Sequence, residues 1–272
     1  MKIIIFTDLD GTLLNHNDHS FEDARPSLER IKRKDIPLII TTSKTRKEVE
    51  NLQKILEIKE PFIVENGGGI FFPGGYQGFK IKNSLHRPPY TIVELGKPYA
   101  EIRRFIKIVG KQFGIRGFGD LTSQEIMEFT GLSVEDAKMA KEREFTEPFI
   151  LERESGLEVL NDLALREGMK VVRGGRFSHL LSVHQDKGKA VEIVKDIFRE
   201  NCGEEMVTIG LGDSENDLPM LKNVDIPVLI PNYDGGYEEL DLRNLIKSKY
   251  PGSKGWNESV KEILNDLERA DY

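Results

Sequence analysis

Apolar residues fall along the chain in short dense runs, separated by longer stretches where they recur every three or four positions. The first run, Ile3-Ile4-Ile5-Phe6, shows no polar alternation. It predicts a strand buried on both faces, as central parallel strands are. Pro37-Leu38-Ile39-Ile40-Thr41-Thr42, Pro61-Phe62-Ile63-Val64, Met206-Val207-Thr208-Ile209 and Val228-Leu229-Ile230 repeat the pattern. Helical spacing separates the early runs. Leu28 and Ile31 mark an apolar stripe behind a Ser20 cap, and Thr45 with Glu48 forms a capping box that starts a second helix. Strand and helix alternating in this way predict an α/β fold around a parallel sheet.

Between about Asn83 and Leu181 the rhythm changes. Thr91–Leu95, Phe149–Leu151, Met169–Val172 and Ser178–Leu181 read as strands, with amphipathic helices over Tyr99–Phe113, Thr122–Phe129, Ser133–Glu144 and Gly156–Arg166. The mixture predicts a small α+β domain of residues 83–181, inserted into a core of residues 1–82 and 182–272. A helix opens at Asp186-Lys187, another closes the chain from Trp256 to Leu267, and 231–255 reads as loop.

Composition narrows the classes. A formal net charge of −7 over 272 residues argues against a partner such as nucleic acid or an anionic membrane. It also means that an anionic substrate needs local cations. With a single cysteine, Cys202, no internal disulfide is possible. No apolar run approaches the roughly 20 residues that span a bilayer. The core strand at the amino terminus leaves no signal-peptide layout, so the expected location is cytoplasmic.

The chemistry gathers where the strands stop. The first ends in Asp8-Leu9-Asp10-Gly11-Thr12, placing two carboxylates at the carboxyl end of a buried strand, where open α/β sheets bind ligands. Like charges that close call for a cation, and Mg²⁺ suits oxygen ligands of this kind. A later strand ends in Gly212-Asp213-Ser214-Glu215-Asn216-Asp217, the same logic again. Thr42 closes the second strand just before a helix, a phosphate-binding arrangement. His16 and His19, in the polar loop 15–20, read as solvated side chains. Gly67-Gly68-Gly69 serves either close backbone approach to a ligand or a tight hairpin into Ile70-Phe71-Phe72.

Taken in order, Asp8-x-Asp10-Gly-Thr, Thr42, Lys187 and Gly-Asp213-x-x-Asn216-Asp217 resemble the four motifs of the haloacid-dehalogenase superfamily of phosphatases. The resemblance implies a Rossmann-like parallel core with an inserted C2-type cap. It makes Asp8 the nucleophile, Asp10 the general acid and base, Thr42 a phosphoryl ligand and Lys187 the neutralising cation. Mg²⁺ falls to Asp8, Asp10, Asp213 and Asp217, with Asn216 beside them. Thr41-Thr42-Ser43-Lys44-Thr45-Arg46, Pro61 to Gly67, Phe129 to Ser133 and Gly174-Gly175-Arg176-Phe177 resemble most closely the mannosyl-3-phosphoglycerate phosphatases. Many relatives carry Thr-Gly-Arg where this chain has Thr42-Ser43-Lys44, which favours the phosphoglycerate branch. Such a substrate carries a carboxylate beside its phosphate, so Arg176, Arg143, Lys44 and Ser43 become candidate contacts. Glucosyl-3-phosphoglycerate and other sugar phosphates are the alternatives. A phosphohexomutase ranks below them because 14–20 contains no arginine. Intact acids argue against an inactive binder.

Overall fold

The computed structural model describes residues 1–151, 156–173 and 177–270. In chain order the first strands are β1 (Lys2–Thr7), β2 (Leu38–Thr41), β3 (Phe62–Val64), β4 (Gly69–Pro73), β5 (Leu85–Arg87), β6 (Tyr90–Glu94) and β7 (Ile115–Gly117). The rest are β8 (Thr146–Leu151), β9 (Met169–Arg173), β10 (Ser178–Ser182), β11 (Met206–Gly212), β12 (Ile226–Leu229) and β13 (Ile246–Lys247). The helices are α1 (Arg25–Arg33), α2 (Arg46–Leu56), α3 (Tyr99–Phe113), α4 (Ser123–Thr130) and α5 (Val134–Ala140). After them come α6 (Leu157–Arg166), α7 (Lys187–Cys202), α8 (Leu218–Leu221) and α9 (Gly252–Ala270). These elements form two compact units, one of Met1–Thr42, Gly75–Lys80 and Lys187–Tyr272, the other of Ser43–Gly74 and Ile81–Asp186.

In the first unit β1 is central. Ile4, Ile5 and Phe6 are fully buried in succession, which only a strand covered on both faces allows. Its neighbours are β11 and β2, and the order β13-β12-β11-β1-β2 is parallel throughout. The register pairs Thr7 with Leu211 on one side and with Ile40 on the other. The next residues of all three strands therefore come out level at one edge: Asp8, Gly212 and Thr41. From α9, the fully buried Trp256 donates Nε1–H to Thr7 Oγ1 at 3.0 Å, tying that helix to the last residue of β1.

The strands of the second unit pair antiparallel in two sets. β3, β4, β6 and β5 pair antiparallel in that order within the nine-stranded sheet, and β7-β8-β10-β9 form the four-stranded one. Helices α3 and α6 pack Ile102, Phe105 and Leu160 on Phe149 and Leu180 of the second sheet, the helix-backed α+β layer expected from the sequence. Helix α5 ends at Ala140, four residues before the expected Glu144, and β8 begins at Thr146, before the expected Phe149.

The reason lies in Glu65, a fully buried carboxylate with a left-handed φ of 51°. It accepts hydrogen bonds from Glu144 N at 2.7 Å, Phe145 N at 3.1 Å and Thr146 Oγ1 at 2.7 Å, so the chain must leave the helix to reach it. Burial pushes its carboxyl above the usual range. The three glycines resolve as a hairpin, with Val64 opposite Gly69. A Cβ at Gly68 would stand 2.5 Å from the Phe145 side chain, so the bare backbone there makes room for Phe145.

Candidate active site

Asp8 follows β1 directly, and its backbone N–H donates to Leu211 O on β11 at 2.9 Å. That bond continues the parallel ladder one residue past the strand and holds Asp8 beside Gly212 and Asp213. The chain then closes on itself through Thr12 N to Leu9 O and Leu14 N to Leu9 O. Gly11 turns with φ +78°, and a Cβ there would lie 2.5 Å from Asp213 Oδ2. Only glycine lets the Asp213 carboxylate approach so near. Thr12 Oγ1 donates to the other oxygen, Oδ1, at 3.0 Å.

Lys187 opens α7 with its side chain wholly enclosed. Nζ donates to Asp8 Oδ1 at 2.7 Å and to Asp217 Oδ1 at 2.6 Å. Two glycines make this close approach possible. A Cβ at Gly188 would sit 2.4 Å from Pro219 O, and one at Gly212 would sit 2.5 Å from the Cβ of Asp217. Both oxygens of Asp217 are in use, since Oδ2 accepts Asp213 N at 3.1 Å, Ser214 N at 3.2 Å and Ser214 Oγ at 3.2 Å. Asp217 thus anchors the lysine and the turn that carries Asp213.

Asp8, Asp213 and Asp217 offer carboxylate oxygens that all lie within 4.8 Å of one another. Three carboxylates against one ammonium leave the pocket short of positive charge. Burial, then the neighbouring Asp217 and Asp10 charges, outweigh Lys187 and push Asp8 up to about 7. Asp213 is raised as well, first by burial and then by Asp217 and Asp8. Lys187 moves upward too: burial works against its charge, and Asp217 and Asp8 more than offset it. A hard divalent cation fits this donor set. Asp8 and Asp213 each retain an oxygen outside the contacts above, whereas the oxygens of Asp217 are committed.

Asp10 stands at the rim with its side chain 43% exposed, 3.5 Å from His19 Nδ1. Thr42, buried, lies one residue beyond β2 at the same sheet edge. Asn216 Oδ1 accepts from Ser214 Oγ at 2.7 Å. The remaining candidates belong to the second unit. Lys44 Nζ lies 3.6 Å from Glu48, and Arg143 is 6% exposed. The Arg143 guanidinium donates to Ala140 O, Ser43 O and Thr146 Oγ1, sits 3.9 Å from Glu65, and stacks on Phe118. Arg176 lies outside the described residues. Sequence reasoning assigned no role to Gly11, Thr12, Ser214 or Trp256. For the first two the signal was present, because they sit inside the Asp8–Thr12 motif.

Residues 5–86 match the family model for haloacid dehalogenase-like hydrolases. Over 268 residues, 98% of this chain and 99% of the relative, it is 58% identical to the glucosyl-3-phosphoglycerate/mannosyl-3-phosphoglycerate phosphatase of Persephonella marina. The chain belongs to the haloacid dehalogenase superfamily. Within it, the chain falls among the phosphatases. The mannosyl-3-phosphoglycerate phosphatase of Pyrococcus furiosus is 38% identical over 84% of this chain and 90% of its own. A haloacid dehalogenase-like hydrolase from Bacteroides thetaiotaomicron shares the fold, with a TM-score of 0.67 at 18% identity over 97% of this chain and 100% of that one. Asp8, Asp213 and Thr42 directly follow β1, β11 and β2, at the carboxyl edge where open α/β sheets bind ligands. No helix among the described residues is long and apolar enough to cross a membrane.

Proposed function

We propose that the protein removes the phosphate from mannosyl-3-phosphoglycerate, and from its glucosyl counterpart, in a Mg²⁺-dependent reaction through a phosphorylated Asp8. The observation that carries the chemistry is the Lys187 contact to Asp8 Oδ1 at 2.7 Å inside a pocket of acids. The full-length likeness to the Persephonella enzyme supports the substrate.

Lys187 fixes Asp8 Oδ1, the oxygen that would also face the cation, and leaves Oδ2 to attack phosphorus, splitting a hard displacement into two. Asp10, at the exposed rim, protonates the departing alkoxide and then takes a proton from the attacking water. Thr42 positions the transferring group with Lys187, and such electrostatic positioning dominates phosphoryl transfer. Asp8, Asp213 and the backbone carbonyl of Asp10 would hold the cation, with Asp217 and Asn216 behind them; when bound it supplies positive charge to the phosphoryl oxygens. We assign substrate specificity to the inserted segment 83–181 and catalysis to residues 1–82 and 182–272. Arg176, Lys44 and Ser43 are the proposed contacts for the glycerate carboxylate, while Arg143 holds the Ser43 carbonyl. We place the activity in the cytoplasm. Phosphate release should be measured across both glycosyl phosphoglycerates and a panel of hexose phosphates, with Mg²⁺ and with a chelator. Activity that survives chelation, or that is greater on the hexose phosphates, defeats the proposal.

A further inference from the structure

The first turns of α9 press one helix face onto the amino-terminal part of the chain. Trp256 and Asn257 stand three and four positions after Ser253, so the three side chains share that face. Ser253 N and Ser253 Oγ donate to Asn15 Oδ1 at 3.1 Å and 2.8 Å, which fixes the loop that follows Asp8 and Asp10. Asn257 holds α1, its Oδ1 accepting Ser27 N at 3.1 Å and its carbonyl accepting Ser27 Oγ at 3.0 Å. Between these anchors the fully buried Trp256 donates Nε1–H to Thr7 Oγ1 at 3.0 Å. An indole N–H can only donate, so the Thr7 oxygen accepts there and its own hydrogen is left for another partner. That partner is the carbonyl oxygen of Asp8, at 2.7 Å.

Asp8 is thereby held from both faces of the sheet. Successive residues of a strand point to opposite sides: Thr7 meets α9, and Asp8 meets Lys187 of α7, whose Nζ holds Oδ1 at 2.7 Å. The Asp8 backbone is held at both ends too, its N–H on Leu211 O at 2.9 Å and its carbonyl on the Thr7 hydroxyl. We infer that Thr7 and Trp256 are positioning residues for Asp8. Together they fix the peptide plane just past the strand, and with it the direction from which Asp8 Oδ2 meets phosphorus. Attack needs that direction, because a misplacement of about 1 Å costs on the order of 100-fold in rate. This role rests on Asp8 being the attacking residue, as proposed above.

Thr7→Val keeps the shape of the side chain and removes its hydroxyl, whereas Thr7→Ser keeps the hydroxyl. Because Thr7→Val leaves the indole N–H without a partner in the core, the double variant Thr7→Val/Trp256→Phe removes both groups and protects the fold. For p-nitrophenyl phosphate, kcat/KM covers the steps up to leaving-group departure and so reads the attack by Asp8. Thr7→Val and the double variant should each lower it by about 10-fold. Competitive inhibition by inorganic phosphate, which reads occupancy of the site without attack, should stay within about twofold of the parent. Thr7→Ser should keep kcat/KM within about threefold. A purely structural role would lower the melting temperature and leave kcat/KM unchanged well below it, or weaken phosphate binding as much as catalysis. Either result overturns the inference, as does a loss in Thr7→Ser equal to that in Thr7→Val. Asp8→Asn serves as the control. If it retains turnover, the assignment of Asp8 is at fault; if it abolishes turnover while Thr7→Val matches the parent, the fault lies with Thr7 and Trp256.

Discussion

Lys187 and Asp217 form an ion pair in which neither side chain has exposed surface, with Nζ 2.6 Å from Oδ1. A pair of this kind is strongly destabilised when one partner is removed, because the survivor stays buried and uncompensated. Here the survivors would be three acids. Lys187→Met should therefore lower unfolding free energy by about 3–5 kcal/mol in a denaturant titration and reduce kcat at least 1,000-fold, to order of magnitude. Near-parental stability in that variant would mean that the acids do not need the ammonium.

Asp8→Asn should separate activity from stability. Turnover should vanish, because an amide cannot be phosphorylated in this way. The metal-free variant should be at least as stable as the parent, since it removes one of the buried like charges that raise Asp8. Thermal melts in a chelator and a phosphate-release assay test both halves.

The same crowding sets a pH dependence for the metal-free protein. Asp8 titrates near 3.8 when unfolded and near 7 when folded, so across that window the native state keeps a proton that the unfolded chain gives up. Stability must then fall as pH rises from about 4 to 7. Adding Mg²⁺ should restore more stability at pH 8 than at pH 5, and should release protons on binding. Denaturation at the two pH values, each with and without Mg²⁺, measures the difference. A metal effect that is equal at both, or larger at pH 5, contradicts it.

Gly11→Ala should damage metal binding before it damages the fold. The added methyl meets Asp213 Oδ2 at 2.5 Å, and φ +78° strains any residue with a Cβ. The Mg²⁺ concentration for half-maximal activity should rise by about 10-fold or more, with a stability loss of about 1–3 kcal/mol. An unchanged Mg²⁺ requirement would show that Asp213 does not need to stand where it does.

The site was more legible in the sequence than the insertion was. Asp8, Asp213 and Thr42 could be found because apolar runs mark buried strands and polar residues mark their ends, and both signals are local. Lys187 carried no such mark: a lysine in the first turn of a helix looks like a surface residue, and only its order among the motifs singled it out. In the second unit, β5 and β7 span three residues each, too short to show a period. Pro148 disguised β8, being a poor strand former that here lies opposite His179. The overlong α5 had a different cause. Lys141 to Glu144 suits a helix well, and nothing nearby in sequence reveals that Glu65, some 80 positions earlier, takes the backbone N–H groups of Glu144 and Phe145.

Trp256 is the chain's only tryptophan. Its indole N–H meets the Thr7 hydroxyl, which in turn donates to the carbonyl of Asp8 at 2.7 Å. Tryptophan emission from this protein, once separated from that of its seven tyrosines, therefore comes from a single indole two hydrogen bonds from the backbone of Asp8. The ion uptake and phosphate capture proposed for that residue should register in tryptophan fluorescence, without a dye and without a label.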